Sequence, residues 1–366
     1  MSNQNLGRRR DYDLLRVMSM AAVVYLHTAA NSLQVMENTA LWQFSNWLAA
    51  LGTAAVPLFF MLSGALLLSS ERTADPVFML KRRLPKLLLP ALFWSGVVIA
   101  GTWYLKGGDE AFQMLIRLPN TTALTPYWFI YALVPMYLLA PLLKRMTDHM
   151  KPIHWHYLLG LWGVLTLGRQ SLAYLVPEPW KLFFLENPTL TVSAVGGYLG
   201  YFLLGAYLKR LKKLPGRRLL WLVAAVDWAA MSLGTWYMSG QYGVYSQQYL
   251  DYRGLFAAVL SACIFLLVQS CCGEGKGSGR LLTLLAGCSF GVYLSHPFAI
   301  KVAEFLVPLG GITGQLLTWL LALGGSILGV VLVQSVKPLC YLVTGQKFDA
   351  ACQESNLFAL LRHGGK

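Results

Sequence analysis

Long apolar runs govern what this chain can become. A helix needs about 20 mostly apolar residues to cross a bilayer. Stretches of that kind recur ten times, near residues 14–32, 47–69, 86–105, 127–143, 155–175, 193–208, 219–238, 254–272, 281–305 and 312–335. The expected fold is therefore all-α: a polytopic membrane bundle of about ten transmembrane helices in one domain over residues 1–366, with short tails. The weakest of the ten are 155–175 and 219–238. The 193–208 stretch holds Gly196, Gly197, Gly200 and Gly205, a composition suited to close helix packing. The first run carries Arg16 and His27 and no obvious small-residue cleavage site follows it, so it reads as a span and not as a removable signal.

Composition agrees. Hydrophobic residues make up 56% of the 366 and charged ones only 13%, against about a quarter charged in ordinary globular domains. Mean hydropathy is +0.51, which excludes disorder. The net charge of +14 would suit nucleic acid in a soluble protein, but here the cations fall between apolar runs. With ten spans and an inside N-terminus, 24 of the 30 Lys and Arg residues lie on the cytoplasmic side. Six of them are in the 209–218 loop alone. Such a bias sets orientation, so both termini are expected inside and no nucleic-acid partner is expected. The six cysteines show neither a zinc spacing nor a disulfide framework, and no metal site is expected. His149, His154 and His156 lack the companions a zinc site needs. No feature of the sequence sets an oligomeric state.

Ionisable groups inside spans are costly and mark function by default. Arg16 and His27, eleven residues apart, lie roughly 16 Å apart along a helix and on nearly one face. Arg16 reads either as a snorkelling anchor or as a working cation; His27 reads either as a hydrogen-bonded interior histidine or as a base. The segment Lys81-Arg82-Arg83-Leu84-Pro85-Lys86 suits lipid phosphates or a phosphorylated ligand. Trp128 and Tyr137 fit an interfacial aromatic belt or a substrate path. His296, between Tyr293 and Pro297, is the second membrane histidine: a structural cap, or an acid or acceptor-orienting group. Glu304 can pair with Lys301 or bind sugar hydroxyls.

In order, these segments resemble the acyltransferase-3 family of integral membrane acyltransferases, from Asp13 to about Gln334. The resemblance rests on Arg16 and His27 with ten residues between, Phe59-Phe60-Met61-Leu62-Ser63-Gly64, and Arg83-x-x-Lys86. Trp128-Phe129 with Tyr137 and Pro141, then Ser289 to Pro297, complete it. The branch most alike contains the enterobacterial common antigen O-acetyltransferase. Departures are Pro57, where many relatives have Asp, Lys86 in place of a second Arg, and Pro126-Tyr127 where a His often precedes the Trp.

The resemblance implies a multi-pass enzyme of the bacterial inner membrane, surrounded by lipid. It would transfer an acyl group, usually acetyl, from cytoplasmic acetyl-CoA or another acyl-CoA. The acceptor would be a hydroxyl of a surface glycan or its lipid-linked precursor. In that reading Arg16, Arg82, Arg83 and Lys86 meet the donor phosphates. His27 acts as general base, with a covalent acyl-His route as its variant. Arg16 and His296 assist, and Trp128, Tyr137, Tyr293 and Glu304 contact the acceptor. A glycan or small-molecule exporter is the competing class; its mark, two related halves with broken helices, does not appear in the sequence.

Overall fold

The computed structural model describes residues 9–34, 37–177, 179–184, 197–272 and 278–361. Among these the helices run α1 (Arg10–Leu33), α2 (Ala40–Gly52), α3 (Ala55–Leu67), α4 (Pro76–Phe78), α5 (Leu84–Lys106), α6 (Gly108–Arg117) and α7 (Trp128–His149). There follow α8 (Pro152–Trp162), α9 (Arg169–Leu175), α10 (Leu199–Lys209), α11 (Arg217–Tyr242) and α12 (Leu255–Cys272). The chain ends with α13 (Arg280–Leu306), α14 (Gly311–Gln334), α15 (Lys337–Thr344), α16 (Phe348–Glu354) and α17 (Leu357–Leu361). No β-strand occurs among the described residues.

Helix occurs at all ten expected places, the 193–208 stretch being described from residue 197 onward. Among the described residues, seven helical stretches are long and apolar enough to cross a membrane: Ala40–Leu67, Pro76–Lys106, Thr125–His149, Arg217–Tyr242, Gln248–Cys272, Arg280–Leu306 and Gly311–Gln334. The fourth was one of the two weakest expectations. Helix α1 has the length but is rich in polar groups, among them Asp11, Asp13, Arg16, His27 and Asn31. Between α8 and α9 a π-helical turn, Gly163–Gly168, interrupts the regular hydrogen bonding.

The chain divides into two compact units, each discontinuous in sequence. The first comprises Met1–Ser70, Lys144–Ser278 and Pro308–Leu317; the second comprises Glu71–Leu143, Gly279–Val307 and Thr318–Lys366.

In the first unit, α3 and α10 meet backbone to backbone. A Cβ built on Gly64 would sit 1.7 Å from the Phe202 carbonyl oxygen, and one on Gly205 would sit 2.0 Å from that of Met61. Gly200 is equally committed, since a Cβ there would lie 2.0 Å from the Trp162 ring. Helices in lipid gain little from burying apolar surface against each other, so contact of this closeness supplies the packing energy. Around the pair, α1 packs on α2, α3 and α12, and α11 packs on α2 and α12.

Polar contacts in this unit separate into two ends. At one, Lys209 Nζ reaches the Ala65 carbonyl (3.3 Å), Arg210 reaches the Thr147 carbonyl (2.7 Å), Arg217 donates to the Ser270 carbonyl, and Ser278 donates to Asp13 (2.5 Å). The start of α1 thus lies with the ends of α3, α7, α10 and α12. At the other end, Tyr174 and Gln170 donate to Asp251 (2.8 and 3.1 Å), and Tyr201 donates to the Tyr252 carbonyl (2.6 Å). Gln315 there binds Tyr25, Ser32 and Ser45. Cations crowd the first end, the separation that the charge bias of the loops anticipates.

Two outcomes follow. Gly64→Ala should lower the thermal midpoint in detergent, at a cost of about 1–3 kcal/mol for overpacking. Gly101→Ala, where nothing stands within 4 Å, should leave the midpoint unchanged or raise it slightly. In a cysteine-free background, Val244→Cys should react with an impermeant thiol reagent added outside intact cells. Lys213→Cys, at the opposite end of α11, should react only after permeabilisation. Reaction of both from outside would put the two ends of α11 on one side and overturn its reading as a span.

Candidate active site

Helix α1 carries two of the expected site residues, Arg16 and His27. Asp11 and Asp13 stand in its first turn, where carboxylates favour the positive helix terminus. Both are 1% exposed. Arg9 clamps Asp11 (2.7 Å), and the Tyr12 ring lies between Arg9 (4.5 Å to the ring centre) and Lys209 (5.7 Å). Asp13 holds Arg16, with 3.1 Å between Oδ1 and Nη1, while its other oxygen accepts from Ser278. Arg16 is therefore aimed by a buried carboxylate and remains about a third exposed, with a side-chain exposure of 31%. Eleven residues further, roughly 16 Å along the axis and about 20° around it, His27 is half-buried. The pair lies on one face of one continuous helix.

The second unit carries the basic segment. Met79–Arg83 forms a π-helical turn that runs into α5. Such turns concentrate at functional sites because the extra residue re-aims side chains. Lys81 and Arg82 are exposed, whereas Arg83 and Lys86 are half-buried. The Arg83 guanidinium lies 5.6 Å from the Phe78 ring centre.

In the same unit, α13 and the start of α7 meet around a proline. Pro297 cannot donate to the Tyr293 carbonyl four residues earlier. The His296 Nδ1 takes that place, 2.6 Å from the Tyr293 oxygen. A carbonyl only accepts, so Nδ1 carries the hydrogen and a neutral ring keeps its lone pair on Nε2. His296 is fully buried. Tyr127 donates to the Leu294 carbonyl (2.7 Å), Tyr293 donates to the Pro126 carbonyl, and Phe129 meets the Tyr293 ring edge-on at 5.7 Å. Pro126-Tyr127 and Tyr293–His296 therefore lock the two helices together.

The remaining expected residues do not gather at this point. Trp128 is half-buried beside the lock, and Tyr137 lies nine residues, about 14 Å, along α7. Glu304 lies about 12 Å beyond His296 along α13 and is ion-paired with Lys301 at 2.8 Å.

A family model described as an acyltransferase domain, that of the acyltransferase-3 proteins, matches residues 9–335. The chain belongs to the acyltransferase-3 family. Among curated proteins and among solved structures, none matches it.

As a member of this family the chain is a membrane acyltransferase, and the match takes in Arg16, His27, the basic segment and His296. It stops before α15–α17. One ionisable group escaped the sequence reading: Asp227, in the middle of α11 and 8% exposed. Among the described residues no hydrogen-bond partner reaches its Oδ2. Its signal was available, because it is the one acidic residue between Arg218 and Tyr242 and intramembrane carboxylates are costly. Three further histidines among the described residues have separate contacts. His149 contacts the Arg145 carbonyl, His154 accepts from the Lys151 N–H, and His156 pairs with the Tyr207 hydroxyl at 2.9 Å.

The two ion pairs at expected site residues should differ in worth. Asp13→Asn removes a buried carboxylate that serves Arg16 and Ser278, and should cost about 1–3 kcal/mol of stability. Glu304→Gln breaks a pair whose lysine is 75% exposed and should cost about 0–1 kcal/mol. Thermal unfolding of both variants in the same detergent measures the difference.

Proposed function

We propose that this acyltransferase moves acetyl from cytoplasmic acetyl-CoA to a hydroxyl of a cell-surface glycan, or of its lipid-linked precursor, in the bacterial inner membrane. The observation that carries the reading is the arrangement on α1. It presents a cation aimed by a buried carboxylate at one end, and a half-buried imidazole three turns along the same face. Each unit also offers cations suited to phosphate: Arg16 in the first, and Arg82, Arg83 and Lys86 in the second. The stretch from Val56 to Arg72 and the span from Tyr127 to Leu143 resemble the branch of this family that contains the enterobacterial common antigen O-acetyltransferase.

His27 is assigned the general base. Its imidazole takes the proton of the acceptor hydroxyl, and the oxygen attacks the thioester carbonyl carbon. The C–S bond breaks as the tetrahedral adduct collapses, and the leaving sulfur of coenzyme A receives the proton back from the imidazolium. Imidazole suits both transfers because its free pKa lies near working pH. His296 is assigned a positioning role, since its Nδ1 is engaged with the Tyr293 carbonyl. Trp128, Tyr137, Tyr293 and Glu304 are assigned to the acceptor.

A general base contributes roughly 10²- to 10⁴-fold to rate. His27→Ala should abolish measurable acetylation while the protein still inserts. His27→Gln, which keeps hydrogen-bonding capacity without the basicity, should be equally inactive. Mass spectrometry of the surface glycan at matched expression should show the loss of one acetyl group with the glycan still delivered. Loss of delivery in both variants would favour transport, and near-normal acetylation in either would remove His27 from the reaction.

A further inference from the structure

Beyond residue 335 the chain turns back onto the start of α5. Trp94 Nε1 donates to the Val343 carbonyl at 3.1 Å. At Gly345 the backbone takes φ +69°, and a Cβ there would stand 2.1 Å from the Lys86 carbonyl oxygen. Only glycine permits both the turn and the approach. Two residues later comes Lys347, exposed, and the helix it opens ends at Glu354. Lys86 feels the charges of Arg83 and Lys347 as like and that of Glu354 as opposite. Lys86 thus lies within reach of two other cations and one carboxylate, and Lys347 and Glu354 come from a distant stretch of chain. The Arg83 Nε is buried and has no hydrogen-bond partner among the described residues.

Holding the C-terminal segment in place does not require this charge. Neutral groups already do so: Gln334 donates to Gln346 (2.8 Å), Ser355 donates to the same Gln346 oxygen (3.0 Å), and Asn356 donates to the Gln334 carbonyl (3.2 Å). Gln346 also donates to Glu354 at 3.2 Å, which fixes the carboxylate near the cations. Gathering like charges is unfavourable unless an anion joins them, and guanidinium with ammonium groups is the usual donor set for phosphate.

We propose that Lys347, carried on the folded-back segment after α14, completes a phosphate-binding site with Arg83 and Lys86, and that Glu354 is the internal anion a bound phosphate displaces. The carrier of that phosphate is the nucleotide end of the acyl donor, an identity that rests on the function proposed above; an anionic lipid headgroup offers the same chemistry. The site joins residues inside the family-matched region to residues outside it.

The test uses the full chain in phosphatidylcholine nanodiscs with two soluble probes, coenzyme A and adenosine 3′,5′-bisphosphate. Parallel nanodiscs contain phosphatidylglycerol. Lys347→Ala should weaken binding of both soluble probes about tenfold, the low end for a charge-assisted contact, and Lys347→Arg should restore it. Glu354→Gln should tighten binding severalfold. Lys337→Ala, which removes an equal charge at the opposite end of α15 from the Gly345 turn, should change nothing. If the variants alter only phosphatidylglycerol association, in the same opposed directions, the phosphate site stands with a lipid as its occupant. If wild type binds the bisphosphate with this pattern yet transfers no acetyl, the site stands and the acetyl-CoA reading falls. Unchanged binding of all probes in both Lys347→Ala and Glu354→Gln, or changes of the same sign, would overturn the site.

Discussion

The contact of α3 with α10 is the constraint on which the first unit depends. In lipid the hydrophobic effect that drives soluble cores together is weak between helices, and small residues must let backbones touch. Gly64 and Gly205 do this reciprocally, each against a carbonyl of the other helix. A Cβ at either position would overlap the opposing backbone, so the two helices can come this close only with glycine there. Helix α1 packs on α3 and is placed against this pair. The placement of Arg16 and His27 is in this sense a consequence of two glycines that touch neither of them.

Charge is the second constraint, and it acts locally. Asp13 illustrates how a membrane protein keeps a cation at the edge of its apolar interior. A buried carboxylate that also accepts from Ser278 gives Arg16 a fixed direction while a third of the side chain stays exposed. A lone arginine would snorkel to the nearest water and polar groups. The ion pair converts a mobile cation into an oriented one at the cost of burying Asp13, and the cost is offset by charge-assisted hydrogen bonds.

Much of this was legible in the sequence because its signals are local. Helix at the ten expected places, close packing by Gly200 and Gly205, and the shared face of Arg16 and His27 all follow from the composition and spacing of single elements, whereas the part Gly64 plays opposite Gly205 did not. The family, too, was visible in the order of short motifs. What stayed hidden depends on contacts between segments far apart in the chain. The partner of Arg16 is Asp13, within reach of a sequence reading, but Ser278 is 265 residues away. The π-helical turn at Met79–Arg83 separates exposed Arg82 from half-buried Arg83 and Lys86, and no periodicity argument predicts it. Lys347 looked like one more cytoplasmic cation until Gly345 brought its segment against Lys86. Asp227 was overlooked although its position alone in an apolar run announces it.

The two membrane histidines show why residue type and depth are insufficient to assign chemistry. Both lie in long helices, and each was open to a structural or a catalytic reading. His296 is followed by a proline, and that single neighbour decides its geometry: a backbone carbonyl loses its donor, and the imidazole replaces it. One ring nitrogen is then committed, the ring orientation is fixed, and full burial excludes it from open solvent. His27 has no proline near it, and the carbonyl four residues before its successor keeps the Thr28 backbone and hydroxyl as donors. It is half-buried. A base must meet its proton donor at hydrogen-bond distance, and at His296 only Nε2 is left for that, because Nδ1 is held by the Tyr293 carbonyl. The proline at 297 thus sets the two histidines apart in geometry: one has a ring nitrogen held by a backbone carbonyl, and to the other the proposed function assigns the acyl-transfer chemistry.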